Sequence, residues 1–426
     1  MTLPKKFLVL VCDLVIAALI LGSIWGVNYL IPQKGVRAQV MSGTAYGETA
    51  ETDGSSGKKQ SDKSIASQSD GSALKGAGSK LFIFPGAGTW PGQAQANQAQ
   101  TDQAQAGQGQ AEEGVESDAA IQEAEKTQQT LTDMMAGTLK TTKVSLDSQD
   151  WHQKFADQFT DHVVATENSY TSPDLAIHLS YNSYDSSRLD STSQGDHTRY
   201  GTNISYVLAD IYVGDITCFQ TGFAQDTYGV GFSEKLSDMS ARLGAVLAVN
   251  GDSYSNSRHK DNGTIIRNGV IYRAQPTDME TCVLNWDGTM KIYGPEEIDT
   301  QQLIDSGAYQ SWIFGPSLLD ENGKAKSSFL TWNYIRESHP RTAIGYYEPG
   351  HYCLLVVDGR QSTTRGMFLE EMAALFEQLG CKAAYNLDGG HCSVMTFQDR
   401  TASHPYRPDH KISDGIFISE GIQKKI

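Results

Sequence analysis

The sequence predicts a mixed α/β architecture. A mixed sheet carries its site on a parallel strand–helix–strand unit, behind one transmembrane helix and a disordered linker. Three observations lead there. An almost unbroken apolar run lies near the start, and a long stretch of Gly, Ser, Ala, Gln and Asp follows it. Past residue 171, short apolar runs alternate with turn residues and one clear helical spacing. The α+β class therefore comes with four divisions: 1–6 cytoplasmic, 7–31 a signal-anchor, 32–145 linker, and 171–426 the folded domain.

The apolar run sits behind Lys5 and Lys6. As a helix, residues 7–31 would rise about 37 Å, enough to cross a hydrocarbon core of about 30 Å. Trp25 and Tyr29 fall toward the far end, where aromatic belts lie, and the two lysines favour a cytoplasmic N-terminus. The run exceeds the roughly 7–15 apolar residues of a cleaved signal peptide. The expectation is a single-pass membrane protein whose C-terminal domain is extracytoplasmic. A net charge of −16 with no basic run excludes nucleic acid as a natural partner. The linker is too polar to bury enough surface to offset chain entropy, so it is read as flexible, with a helical stalk over 112–140. Five cysteines lie in the domain, an odd count with no zinc spacing, and read as buried free thiols.

Within the domain, residues 203–223 are rich in β-branched and aromatic side chains and read as one long strand or two short ones. Leu236, Met239 and Leu243 have helical spacing closed by Gly244, and 245–249 reads as a buried strand. Pro349-Gly350 marks a hairpin. Residues 352–357 form the next strand, and 366–379 an amphipathic helix with Leu369, Met372, Phe376 and Leu379 on one face. Gly380 stops it, and 382–387 is another strand. Two strands joined this way are predicted to lie parallel, with their C-terminal ends on one ligand-binding edge.

Three apolar strands stop at a polar-glycine turn: Asn250-Gly251-Asp252, Asp358-Gly359-Arg360 and Asp388-Gly389-Gly390. Glycine beside a carboxylate permits a tight turn and close ligand approach. Each turn alone is an ordinary turn former; their recurrence at strand ends points to a site.

These motifs resemble a known family. His339-Pro340-Arg341-Thr342-Ala343-Ile344-Gly345, Val357-Asp358-Gly359-Arg360-Gln361-Ser362 and Asn386-Leu387-Asp388-Gly389-Gly390-His391-Cys392-Ser393 are similar, in order, to signatures of the phosphodiester glycosidase family. Asn250-Gly251-Asp252 resembles its upstream motif, and Asn262-Gly263-Thr264 with Asn268-Gly269 the loop that follows. His391 and Cys392 depart from the family's usual glycine and serine, and Asp252 stands where a glycine is frequent. The resemblance implies hydrolysis of an N-acetylglucosamine-1-phosphodiester-like linkage in a cell-envelope glycan, sugar-phosphate polymer or exopolysaccharide.

The residue types suit that chemistry. Arg341 and Arg360 are candidates for bidentate phosphate binding. Asp388, with Asp252 or Asp358 as partner, would stabilise or attack an oxocarbenium-like centre. Asn250 and Asn386 would orient carboxylates or sugar hydroxyls, and Ser393 would donate to a phosphate oxygen. Gly389 and Gly390 would let the backbone approach, and His391 would donate a proton or narrow the pocket. No cofactor is required, although a calcium or magnesium ion held by Asp252, Asp388 and carbonyls is an alternative. Two other functions remain open: a non-catalytic glycan-binding or assembly protein, and a metal-dependent phosphodiesterase.

Overall fold

A computed structural model describes residues 137–143, 150–188, 201–254, 262–295 and 297–421, with Val36, Arg37, Lys126, Gln129, Asp133 and Met134 besides. Along Asn203–Val213, the residues Val207, Ala209, Ile211 and Val213 are buried and those between are half-buried. This alternation suits a strand in the middle of a sheet. The sheet has seven strands in the order Ala383–Asn386, Arg341–Glu348, His351–Val357, Asn203–Val213, Leu175–Asp185, Ser169–Thr171 and Val164–Ala165. Every pairing in it is antiparallel. A five-stranded antiparallel sheet faces it, in the order Arg400–Thr401, Met395–Phe397, Leu247–Asn250, Asp414–Ile418 and Phe219–Phe223.

The main core fills the space between the sheets. Val207, Ile211, Leu354 and Val356 meet Leu247, Val249, Phe397 and Ile416 there, and Trp151 and Phe155, upstream of residue 171, join them. On the outer face of the large sheet, Cys353, Leu355 and Val357 lie under Leu369, Met372 and Phe376 of the Leu369–Gln378 helix. Both faces of the His351–Val357 strand are thus covered, which is why it reads as a continuous apolar run. Glu371 fixes the start of that helix, accepting the Phe368 N–H at 2.9 Å and pairing with Arg365 at 2.6 Å. The region 203–223 forms two strands, one in each sheet, separated by a short 3-10 turn at Ile216–Cys218.

The predicted fold class is corrected on its central feature. The strands His351–Val357 and Ala383–Asn386, joined by the helix, do not pair; Arg341–Glu348 lies between them, antiparallel to both. Among the described residues there is no parallel strand–helix–strand pair, and the domain is built mostly from antiparallel sheets. The physical reason is that Arg341–Glu348 and His351–Val357 close a tight hairpin through Pro349-Gly350, with Gly350 at φ 88°, and so take adjacent places, leaving only the far edge of Arg341–Glu348 for the strand after the helix. The two flanking strands still point the same way, since each opposes the same neighbour.

The single-pass membrane localisation is corrected as well. Among the described residues no helix is long and apolar enough to cross a membrane. Residues 7–31, on which that expectation rested, lie outside the described residues, as does most of the linker. Cys218, Cys282, Cys353, Cys381 and Cys392 are all free thiols.

Candidate active site

Asp388 follows the Ala383–Asn386 strand and is clamped from the other sheet. Its N–H donates to the Gly251 carbonyl at 3.1 Å, and its own carbonyl accepts from Asn250 Nδ2 at 2.6 Å. Asn250 Oδ1 in turn accepts from Thr342 Oγ1 at 2.6 Å and from the Val394 N–H at 3.3 Å. The Asn-Gly motif therefore works as a bracket joining both sheets at the root of Asp388. Beyond it the chain must turn inside a tight space. A Cβ on Gly389 would come within 2.8 Å of the Pro340 carbonyl oxygen, and Gly390 has φ 66°.

The result is a cavity of about 230 Å³ with Asp388, Gly389, Gly390 and His391 along one side and His339, Pro340, Arg341 and Arg360 along another. Phe314 and Tyr334 add aromatic faces. Asp388 is the one carboxylate lining this cavity among the described residues. Burial pushes its carboxyl up to about 6, and the negative charges of Asp252 and Asp414 push the same way. Hydrogen bonds from the Cys392 thiol and the Gly389 N–H oppose the rise. Cys392, one of the two departures in the motif, thus lies against the carboxylate.

Arg360 is held by an imidazole. His339 Nε2 is 2.6 Å from the Tyr334 carbonyl, and its Nδ1 is 3.1 Å from Arg360 Nη2. A carbonyl only accepts and a guanidinium only donates, so His339 is neutral with its proton on Nε2. This fixes Arg360 against the glycine turn, where a Cβ on Gly390 would lie 3.2 Å from Nη1.

Other predicted residues take supporting places. Asp252 is buried, and its carboxylate accepts from the Ile313 N–H at 2.9 Å and the Phe314 N–H at 2.9 Å. It lies 3.5 Å from Arg267 Nη2. Its oxygens are thereby engaged by protein partners. Asp358 is also buried, accepting from the His404 N–H at 2.7 Å, with His404 Nδ1 at 3.1 Å. It does not line the cavity.

Arg341 reaches the cavity wall, yet its guanidinium mostly ties loops together. Nε donates to the Met367 carbonyl at 3.0 Å, and Nη2 donates to the carbonyls of Ile335, at 2.6 Å, and Glu337. Asn386 Nδ2 donates to the Gly315 carbonyl at 2.7 Å. Asn386 Oδ1 and Ser393 Oγ are buried polar atoms with no protein partner, and neither residue lines the cavity.

Arg267 and Asp414 went unmarked in the sequence. Both are buried; Arg267 Nε donates to Asp414 at 3.0 Å, Nη2 donates to it as well, and Asp414 Oδ1 accepts the Asp252 N–H at 2.6 Å. Two carboxylates thus share the Arg267 guanidinium, and Arg273, also buried, acts on Asp252 as well. No local pattern marks the pair, since 147 positions separate them.

Residues 243–419 match the family model described as phosphodiester glycosidase. An SPbeta prophage-derived uncharacterized protein, YomE, of Bacillus subtilis is 34% identical over 193 residues, 44% of this chain and 29% of the relative. The chain thus spans less than a third of that relative's length. Among solved structures, the catalytic domain of zebrafish N-acetylglucosamine-1-phosphodiester alpha-N-acetylglucosaminidase, auto-inhibited by its pro-peptide, aligns at 20% identity and TM-score 0.43. That alignment covers 59% of this chain and 89% of the zebrafish chain. A hypothetical protein from Synechocystis aligns at 12% identity and TM-score 0.40, covering 58% and 62%. Residues 243–419, which carry every element of the cavity wall from Phe314 to His391, are thus similar to the phosphodiester glycosidase family.

Proposed function

We propose that the protein hydrolyses a sugar-1-phosphodiester, with Asp388 acting at the anomeric carbon and Arg360 holding the diester phosphate. The observation that carries this reading is the pairing of a single half-buried carboxylate with a fixed guanidinium across one cavity. The bond between the sugar C1 and the phosphate oxygen breaks, water supplies the new C1–O bond, and the phosphate departs as a monoester. Ionised Asp388 stabilises the positive charge that develops at C1, or attacks it directly. A phosphomonoester is a stable leaving group at neutral pH, so a second carboxylic acid beside it is dispensable. Phe314 and Tyr334 offer faces on which a sugar ring packs.

The substrate class proposed is an N-acetylglucosamine-1-phosphodiester-like linkage in a cell-envelope glycan or exopolysaccharide. The test gives the full chain N-acetylglucosamine-1-phosphoglycerol and related diesters and measures free sugar. Turnover is expected at pH 7.5, with a loss of about a thousandfold or more in Asp388→Asn. No sugar release from any diester, or undiminished turnover in the variant, overturns the reading.

A further inference from the structure

The loop at 402–410 lies beside the cavity, and Asp358 anchors it. Besides the two Asp358 contacts to His404, Gln361 Nε2 donates to the His404 carbonyl at 2.7 Å. Ser403 Oγ accepts the Met395 N–H at 2.9 Å, and Arg407 and His410 close a turn at 3.0 Å. Pro405 and Pro408 stiffen the stretch between. A loop tied this firmly holds its side chains in place.

Those side chains bring two guanidinium groups, two imidazoles and an aromatic ring together. The Tyr406 ring has Arg360 Cζ at 5.9 Å and Arg407 Cζ at 5.8 Å from its centroid. The His391 ring lies 5.4 Å from Tyr406 and 5.5 Å from His410. Burial first, and then Arg360, Arg407 and His410 acting electrostatically, hold the His391 imidazole below the ordinary value. The loop's one carboxylate, Asp409, is ion-paired with Lys235 at 2.6 Å. Two guanidinium groups and two imidazoles therefore share a small region at the cavity edge with no carboxylate of the loop among them. An anion placed there would be attracted by both guanidinium groups.

We infer that this cluster is a second anion subsite, accepting a further phosphate on the leaving group of the substrate. It rests on the proposed hydrolysis of sugar-1-phosphodiesters and narrows the substrate to one whose leaving group is itself phosphorylated. An internal unit of a sugar-phosphate chain has that character, and a diester with a neutral leaving group does not. Arg360 stands at the junction, its guanidinium between the scissile phosphate and the Tyr406 ring.

Two probes separate the inference from the reading it rests on. N-acetylglucosamine-1-phosphoglycerol carries the scissile phosphate alone, and its glycerol 3-phosphate counterpart carries one more. Binding of each to Asp388→Asn protein is measured by calorimetry at low salt, and turnover of each by the unaltered protein. The doubly charged probe is expected to bind about fivefold more tightly, the sum of two partly exposed ion pairs, with the advantage shrinking in 0.5 M salt as screening grows. Arg407→Gln is expected to reduce that ratio toward one, and Arg407→Lys to restore much of it, which a packing role would not do. Equal binding of the two probes overturns the subsite, whatever the turnover. A preserved preference without sugar release leaves the subsite standing and overturns the hydrolytic reading alone.

Discussion

Asp388 pays for its position in stability, and the size of that penalty follows from its surroundings. An aspartate rests near 3.8, and burial lifts Asp388 to about 6. Each unit is worth about 1.36 kcal/mol, so the ionised carboxylate destabilises the folded state by about 3 kcal/mol. Water at the cavity mouth screens part of this, which leaves about 2 kcal/mol. Between the unfolded and folded values the native protein binds more protons than the unfolded chain. Stability therefore falls as pH rises through that window, and the full penalty is present above 6. Asp388→Asn removes the charge and keeps an oxygen to accept the Gly389 N–H. Its melting temperature at pH 7.5 should exceed that of the unaltered protein by about 4–8 °C, using the usual 2–4 °C per kcal/mol for domains of this size. At pH 4 the two proteins should melt together. Thermal unfolding followed by circular dichroism at both values makes the comparison. An equal gain at both values, or no gain at pH 7.5, would refute the account of Asp388 as a carboxylate strained by burial.

Two further expectations concern the neighbours of Asp388. The charge of Asp414 helps to raise the Asp388 carboxyl, so Asp414→Asn should move the acid limb of the kcat/KM profile from about 6 to lower pH; an unmoved limb would show that the buried pair does not tune the site. Arg341→Met should cost about 3 kcal/mol or more, because it strands the buried carbonyls of Ile335, Glu337 and Met367, and urea denaturation would read this as a lowered midpoint.

What the sequence revealed, and what it hid, divides by range along the chain. Asp388 was legible because its turn is local: an apolar strand, then Asp-Gly-Gly, with each glycine demanded by a close approach that any sequence reader can suspect. The helix at Leu369–Gln378 was legible from its apolar spacing, and its strands from their buried runs. The order of those strands was not, because no local pattern shows that Arg341–Glu348 enters between two strands linked by a helix. Asp252 and Asp358 were singled out for the right residue type at a strand end. Their carboxylates, however, are used up by partners that lie far along the chain, the Ile313 and Phe314 amides for one and His404 for the other. A strand-end aspartate that lines a cavity and one that braces a loop have the same local sequence.

The three strand-end turns nevertheless form one device, with unequal parts. Asn250 and Gly251 fix the backbone of Asp388, so its carboxyl is aimed by the opposite sheet and not by its own strand alone. Asp252 fixes the Ile313–Phe314 backbone, and Phe314 is a cavity wall. Asp358 fixes the loop that brings Tyr406 and Arg407 to the rim. Only the third turn offers its carboxylate to the cavity, and the other two supply charge and rigidity from behind. After burial, the nearby charges of Asp252 and Asp414 are part of what lifts Asp388 toward 6. A carboxylate that needed only to be ionised would be better served by a cation beneath it. One that must exchange a proton near neutrality, or attack a carbon that is becoming positive, gains from a value this high, because a more basic oxygen is the better nucleophile and the better base.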